Sequence, residues 1–190
     1  WWEPAERTRI PDDDPKRMFS LARTSIDYLN ERAADEKPFF MMISHYALHV
    51  KNTSLKSTRE KYLKIIAEQE GISGGIPDIA PDAENAADMP KKLKSLWGRA
   101  NYAAMVEDMD TSVGMVLNEI KALGMQDNTY IIFASDNGPD VSSYERIRSH
   151  NHFSMGNRRG IKTDVLESGH RLPLVVRWPG HIQPNQTNDQ

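Results

Sequence analysis

The 190-residue sequence contains no cysteine. That removes a disulfide framework, thiolate metal ligands and a cysteine nucleophile from this chain. Long apolar runs are missing as well. The longest, such as Tyr130 to Ala134 and Leu172 to Val176, hold about five or six residues, against the roughly 20 that a membrane-spanning helix needs. No excess of charge stands out: 24 basic residues face 27 acidic ones, a net −3. Nothing in that balance points to nucleic acid or to an anionic membrane surface. Gly and Pro, 11 of each, are too few for a collagen-like or low-complexity chain. The chain opens on Trp1-Trp2-Glu3-Pro4 without the charged-then-apolar pattern of a signal peptide, and it closes on a polar tail, Asn185 to Gln190. The expectation is an internal piece of a longer protein. What is present is a globular composition, 38% hydrophobic, enough to form a real core in one domain or part of one.

Asp14 followed by Pro15 predicts a helix start, and Met18, Leu21, Ala22, Ile26, Leu29 and Ala33 recur behind it at helical spacing. Phe39 to Ser44 reads as a short strand, with His45 and His49 at or just past its end. Ser57-Thr58-Arg59-Glu60 reads as a capping box opening a second helix that stops at Gly71. Residues 71–96, rich in Gly, Pro, Asp and Ala, read as a surface insertion. From about Leu96 to Leu123, Tyr102, Val106, Met109, Val113, Leu117, Ile120 and Leu123 predict a long helix, closed by Gly124. Strands follow at Tyr130 to Ala134 and at Leu172 to Trp178. Short apolar strands alternating with helices predict an α/β sheet with parallel pairs, whose sites gather at the carboxyl ends of strands.

Ser135-Asp136-Asn137-Gly138 lies at such an end. Asn-Gly is a leading hairpin turn, but the polar stretch after it shows no alternation. The second reading pairs the Asp136 carboxylate with the Asn137 amide oxygen as hard ligands for Ca²⁺, or less readily Mg²⁺; two ligands alone hold neither ion well. His49 reads either as a surface histidine or as a catalyst. Lys162, in Arg158-Arg159-Gly160-Ile161-Lys162-Thr163-Asp164, belongs either to a solvated basic loop or to a cradle for sulfate or phosphate. Glu167 and Arg171 read as a scaffold pair before the last strand.

Taken in order, five stretches resemble the sulfatase family of the alkaline phosphatase superfamily. They are Lys37-Pro38-Phe39-Phe40 through Ser44-His45-Tyr46-Ala47-Leu48-His49; Tyr102 to Asp110 with Val113-Gly114; Leu123-Gly124 with Asp127-Asn128-Thr129; Phe133 to Gly138; and Arg159-Gly160-Ile161-Lys162 through Glu167, Gly169 and Arg171-Leu172-Pro173 to Arg177-Trp178-Pro179-Gly180. Roughly 37–60 and 100–182 are covered. The resemblance implies an alkaline-phosphatase-like α/β fold, with a mixed, mostly parallel sheet flanked by helices. It implies that residues 1–190 form part of a sulfatase catalytic domain. The implied activity is Ca²⁺-assisted hydrolysis of sulfate esters, of sulfated carbohydrate or aryl sulfate. Asp136 and Asn137 map onto two metal ligands, and His49 and Lys162 onto residues that contact the sulfate or its leaving oxygen. The family's formylglycine nucleophile arises in a motif that this sequence does not contain, so the 190 residues alone are expected to be inactive. Ser168 stands where the family commonly has Gly, a residue that supplies φ > 0. Two other readings stay open: a phosphodiester or phosphonate monoester hydrolase of the same superfamily, and an inactive homologue that binds sulfated glycans. A periplasmic or extracellular location is implied by the resemblance alone.

Overall fold

The structure, a computed structural model, describes residues 13–35, 37–49, 51–79, 89–140 and 156–187. These residues fall into two compact units, the first ending at Gly124 and the second beginning at Met125. Among them no helix is long and apolar enough to cross a membrane.

The first unit is built on three helices: α1 (Met18–Ala33), α2 (Lys56–Gln69) and α3 (Lys91–Ala122). Asp14 caps α1, though from further off than the sequence predicts. A 3-10 turn over Pro15–Arg17 intervenes, and Lys16 and Arg17 both hold φ 56. Asp14 Oδ1 then accepts the N–H of Phe19 at 2.8 Å and that of Ser20 at 3.2 Å, satisfying donors that a helix start leaves free. The predicted capping box at Ser57–Glu60 does not form. Helix α2 begins at Lys56, its N-cap is Leu55, and no side-chain oxygen caps it. Ser57, the predicted cap, lies inside the helix, and its neighbour Thr58 donates to Asp108. Both predicted stops hold: Gly71 and Gly124 take positive φ, and Ile72 and Gly71 donate back to Ala67 O and Glu68 O as a Schellman ending requires.

The buried stripe of α3 is rotated from the predicted one. Leu96, Trp97, Ala100, Asn101, Ala104, Met105, Asp108, Ser112, Val116 and Ile120 are buried, whereas Val106 and Leu117 are exposed. The apolar pattern misleads because three of the buried positions are polar, and each has its partners. Asn101 Oδ1 accepts Ser54 Oγ–H at 2.6 Å and its Nδ2 donates to Asn52 O at 2.8 Å. Asp108 accepts the Leu55 N–H and the Thr58 hydroxyl, each at 2.7 Å. Ser112 Oγ donates to Met109 O. Buried polar groups survive only when so satisfied. Among the described residues two apolar clusters pack the unit. One joins Leu63, Ile66, Ala67, Ile76, Leu96, Trp97 and Ala100; the other joins Met18, Phe19 and Met105 with Ala47 and Leu48 against them.

The segment read as an insertion at 71–96 is anchored in part. Ile76 is buried, and Asp78 forms a two-point ion pair with Arg59 at 2.6 and 3.0 Å while accepting Trp97 Nε1–H. Burial pushes the Asp78 carboxyl up, but the Arg59 hydrogen bonds and charge outweigh it and hold it below the usual carboxylate range. Helix α3 starts at Lys91, before the predicted 96, and residues 80–88 lie outside the described ones.

Asp108 gives a first prediction. Burial raises its carboxyl pKa, and the Leu55 and Thr58 donors offset that only in part. A raised folded-state pKa makes the native state bind the proton more tightly than the unfolded one. Its contribution is complete below the unfolded pKa of about 4 and is lost as pH rises through the folded value. Urea titrations of the full-length protein between pH 4 and 7 should show Asp108→Asn flattening that loss. Asp108→Ala, which orphans two buried donors, should cost about 2–3 kcal/mol near pH 4 and less as pH rises through the folded pKa. A pH-independent difference between wild type and Asp108→Asn would contradict this assignment.

The second unit holds β1 (Ile131–Ala134), a short helical turn α4 (Glu167–His170) and β2 (Leu174–Arg177). The strands pair antiparallel, with Ile131 opposite Arg177 and Ala134 opposite Leu174. This departs from the expected parallel pairing. A parallel return needs a crossover, usually a helix packed on the sheet, and between these strands the described residues contain only α4. Ile132, Phe133, Leu174 and Val175 are exposed; alternate residues point to opposite faces, so both faces of the ribbon are apolar, the pattern of strands buried on two sides. The predicted strand at 39–44 forms no ladder with the described residues. From Phe39 to Tyr46 burial nonetheless alternates residue by residue, with Phe40 and Met42 outward, which is the period of an extended strand.

Candidate functional site

His49 belongs to the first unit and is exposed. It closes a turn in which its N–H donates to Tyr46 O at 3.0 Å, and the Ala47–Leu48 peptide inside it is cis. The His49 and Tyr46 rings lie 5.1 Å apart, tilted by 31°. Beneath this turn Ala47 and Leu48 pack on Met18, Phe19 and Met105, and the chain beyond it is tied to α3 through Asn101 and Asp108. The position of His49 therefore follows from helix packing on one side and a buried polar stripe on the other. His45 is half-buried; burial lowers its pKa, and among the described residues its Nδ1 has no hydrogen-bond partner.

Sequence reasoning missed Lys16. It is only 7% exposed, and its Nζ sits 4.4 Å over the Tyr46 ring. Among the described residues no carboxylate pairs with it, and burial lowers its pKa. A lysine between an Asp run and an arginine reads as solvated, so no signal in the sequence marks it.

Asp136, Asn137 and Lys162 belong to the second unit. There the loop after β1 and the loop before β2 are laced by backbone hydrogen bonds. Gly138 N–H donates to Gly169 O at 2.9 Å, and Lys162 N–H to Pro139 O at 2.6 Å. The structure thus brings the Lys162 backbone beside the residues that follow Asp136 and Asn137. Within the second loop Ser168 N–H reaches Arg159 O at 3.0 Å, and Asp164 Oδ2 accepts Ile161 N–H at 3.1 Å. Thr163, next to Lys162, holds φ 80, a left-handed value that costs a β-branched residue roughly 1–2 kcal/mol. The Glu167–Arg171 pair forms as expected at 2.7 Å and holds the Glu167 carboxyl below its usual range, but it is exposed and worth little to stability. Ser168 sits buried in α4 and not at positive φ, so its side chain costs the loop no backbone strain.

Asn137-Gly138 makes no hairpin. Gly138 is required by contact: a Cβ there would overlap the Ser168 carbonyl oxygen and press on Gly169. Gly138→Ala must therefore push the two loops apart. Since displacements of about 1 Å can cost up to 10²-fold in rate, any activity of the full-length protein that uses this junction should fall by about tenfold or more; an unchanged activity would show that the lacing does not set the site.

The donor set is compatible with a hard cation. The Asn137 amide donates Nδ2–H to Gly138 O at 2.9 Å, which leaves Oδ1 as the free acceptor. Asp136 is exposed, and no hydrogen bond or ion pair from the described residues engages its carboxylate. Those are two oxygen ligands of the six to eight that Ca²⁺ takes, and the described residues contain no group of three or more acidic or imidazole side chains placed to hold a metal. Residues 141–155, part of the stretch expected to line a substrate pocket, lie outside the described ones.

A model of the sulfatase family matches residues 4–190. The chain is 30% identical over 187 residues to a sulfatase of Formosa agariphila, covering 92% of this chain and 27% of that protein. It is 36% identical over 95 residues to the N-acetylgalactosamine-6-O-sulfatase of Bacteroides thetaiotaomicron, covering 47% of this chain and 18% of the relative. It is 40% identical over 85 residues to the steryl-sulfatase of Rattus norvegicus, covering 45% of this chain and 15% of the relative. Among solved structures, Ps i-CgsB in complex with k-i-k-neocarrahexaose superposes with a TM-score of 0.59 at 23% identity, over 86% of this chain and 28% of that one. A structure described under the metabolism of multiple glycosaminoglycans by Bacteroides thetaiotaomicron gives 0.58 at 23%, over 90% and 29%. The chain thus spans less than a third of the length of each. These likenesses bear out the alkaline-phosphatase-like α/β fold, of which the three helices and the small sheet are a part.

Proposed function

The chain belongs to the sulfatase family, and from that premise we propose that the whole protein hydrolyses sulfate esters. The observation that carries the reading is the lacing of the Asp136–Pro139 loop to the Lys162 loop, which holds an oxygen-ligand pair and a cation on two apposed segments. In this reading Asp136 and Asn137 hold a Ca²⁺ ion, whose charge offsets that of the sulfate. Further ligands come from outside the described residues or from water. Lys162 binds a sulfate oxygen as a point charge. His49 donates a proton to the departing alcohol. The family also uses a formylglycine nucleophile, for which this sequence holds no motif.

The relatives named above are sulfatases, which favours neither phosphoester chemistry nor a non-catalytic glycan binder. Sugar sulfate in one relative's name, and the neocarrahexaose bound to one structural neighbour, support a sulfated carbohydrate as substrate, and a periplasmic or extracellular location suits such a polymer. The test is direct. The full-length protein should release sulfate from a sulfated galactosamine and from nitrophenyl sulfate, and lose that activity to a calcium chelator. Turnover of bis(nitrophenyl) phosphate with both sulfate esters inert would overturn the proposal.

A further inference from the structure

Arg59, in the first turn of α2, has no place in the chemistry above, yet all three nitrogens of its guanidinium donate. Nε and Nη2 meet the two oxygens of Asp78 at 2.6 and 3.0 Å, and Nη1 meets Ser54 O at 3.2 Å. The group sits over the Trp97 ring, 5.4 Å from Cζ to the centroid, and Trp97 Nε1–H adds a further hold on Asp78 at 3.2 Å. The two charged side chains are only 18% and 15% exposed. A pair so withdrawn from water adds little net stability, because desolvation offsets its attraction; what a two-point contact supplies is direction. The Ser54 end runs on into a second buried contact. Ser54 Oγ–H donates to Asn101 Oδ1, and Asn101 Nδ2 donates to Asn52 O. One guanidinium thus ties the segment that ends at Asp78 to residues 52–54, just beyond the His49 turn.

We propose that Arg59 is a positioning residue for the chain that carries His49, holding it in register with the 72–78 segment. Residues 52–55 belong to no helix or strand, so their path depends on the side chains that reach them. Asn101 holds Asn52 O, Arg59 holds Ser54 O, and Asp108 holds the Leu55 N–H. Asn101 and Asp108 stand on α3 and refer the path to that helix. Arg59 brings in Asp78, so the path also depends on where the 72–78 segment lies, and that segment is itself seated by the buried Ile76. Loss of the pair, or a shift of the segment, is passed through Ser54 to the main chain at His49. The inference rests on the proton-donor role proposed above for His49.

The test uses the full-length protein and two readouts. Arg59→Met removes every bond of the guanidinium. Arg59→Lys keeps the charge, but one ammonium cannot reproduce a fork that meets both Asp78 oxygens and Ser54 O. Asp78→Asn keeps the shape and removes the carboxylate charge. In kinetics, Arg59→Met should lower kcat for an alkyl or sugar sulfate by about tenfold with KM little changed, because a displaced donor loses its alignment, and change the rate on an activated aryl sulfate far less. Arg59→Lys should recover only a small part. Asp78→Asn should repeat the pattern with a smaller loss even if Arg59→Met fails to fold, and adding Arg59→Lys to it should cost less than the two losses combined. A lower melting temperature with both ester rates unchanged, or equal losses on both ester classes, would overturn the proposal. The second readout needs no turnover. The His49 N–H, bonded to Tyr46 O, and the Leu55 N–H, bonded to Asp108, should exchange with solvent about tenfold faster in Arg59→Met and Asp78→Asn, while amides in the middle of α1 keep their rate. If both amides speed up and no sulfate ester is hydrolysed by the wild type, the linkage stands and the proton-donor reading of His49 falls. If neither amide responds, the linkage itself falls.

Discussion

Replacing Lys162 with Ala in the full-length protein should lower kcat/KM by on the order of 10²–10³-fold, the usual cost of losing one preorganised electrostatic group. As the S–O bond of a sulfate monoester breaks, negative charge grows on the bridging oxygen. A cation that meets the sulfate group there stabilises the transition state more than the ground state, so the loss should appear mainly in kcat. It should be similar for an activated aryl sulfate and an alkyl sulfate, because the sulfate group is common to both. Lys162→Arg should recover little, since the wider guanidinium fork cannot replace a point charge in the same space. The Lys162 backbone is held by Pro139 O and by the turn to Asp164, so the alanine variant should keep its fold, and an unchanged melting temperature would confirm that. A near-wild-type rate would remove Lys162 from the site.

His49→Ala should behave differently. Loss of a general acid costs about 10²-fold when the leaving group needs a proton. Sugar and alkyl alkoxides need one; the anion of an acidic phenol does not. The variant should therefore lose about 10²-fold on an alkyl or sugar sulfate and retain most of its activity on nitrophenyl sulfate. Equal losses on the two substrates would rule out the leaving-group role. Lys162→Ala and His49→Ala together form a pair of profiles, flat and substrate-dependent, that separates a sulfate-binding cation from a proton donor.

Much of the local architecture was legible in the sequence. The three helices follow from hydrophobic spacing, and the stops of α2 and α3 from the positive φ that Gly71 and Gly124 adopt. The strands at Ile131–Ala134 and Leu174–Arg177 follow from short apolar runs bounded by turns. The family follows from ordered motifs, because those motifs are backbone-dictated: Gly138, for example, leaves no room for any side chain beside Ser168 and Gly169.

By itself, then, the sequence determined the existence of the three helices, the glycine ends of α2 and α3, the strands β1 and β2 and the family, all of which depend on residues near one another in the chain, and it named His49, Asp136, Asn137 and Lys162 as candidates. Tertiary structure alone decided the antiparallel register of β1 and β2 and the rotation of the α3 stripe, which buries Asn101, Asp108 and Ser112. It alone decided that α2 starts one residue before Ser57 with no side-chain cap, that Thr58 serves Asp108, and that Lys16 lies under Tyr46. The physical reason is the same in each case. Spacing reports which residues share a face, but whether a polar residue on that face is buried depends on a partner, and Asp108 finds its own at Leu55 and Thr58, some 50 positions away in the chain.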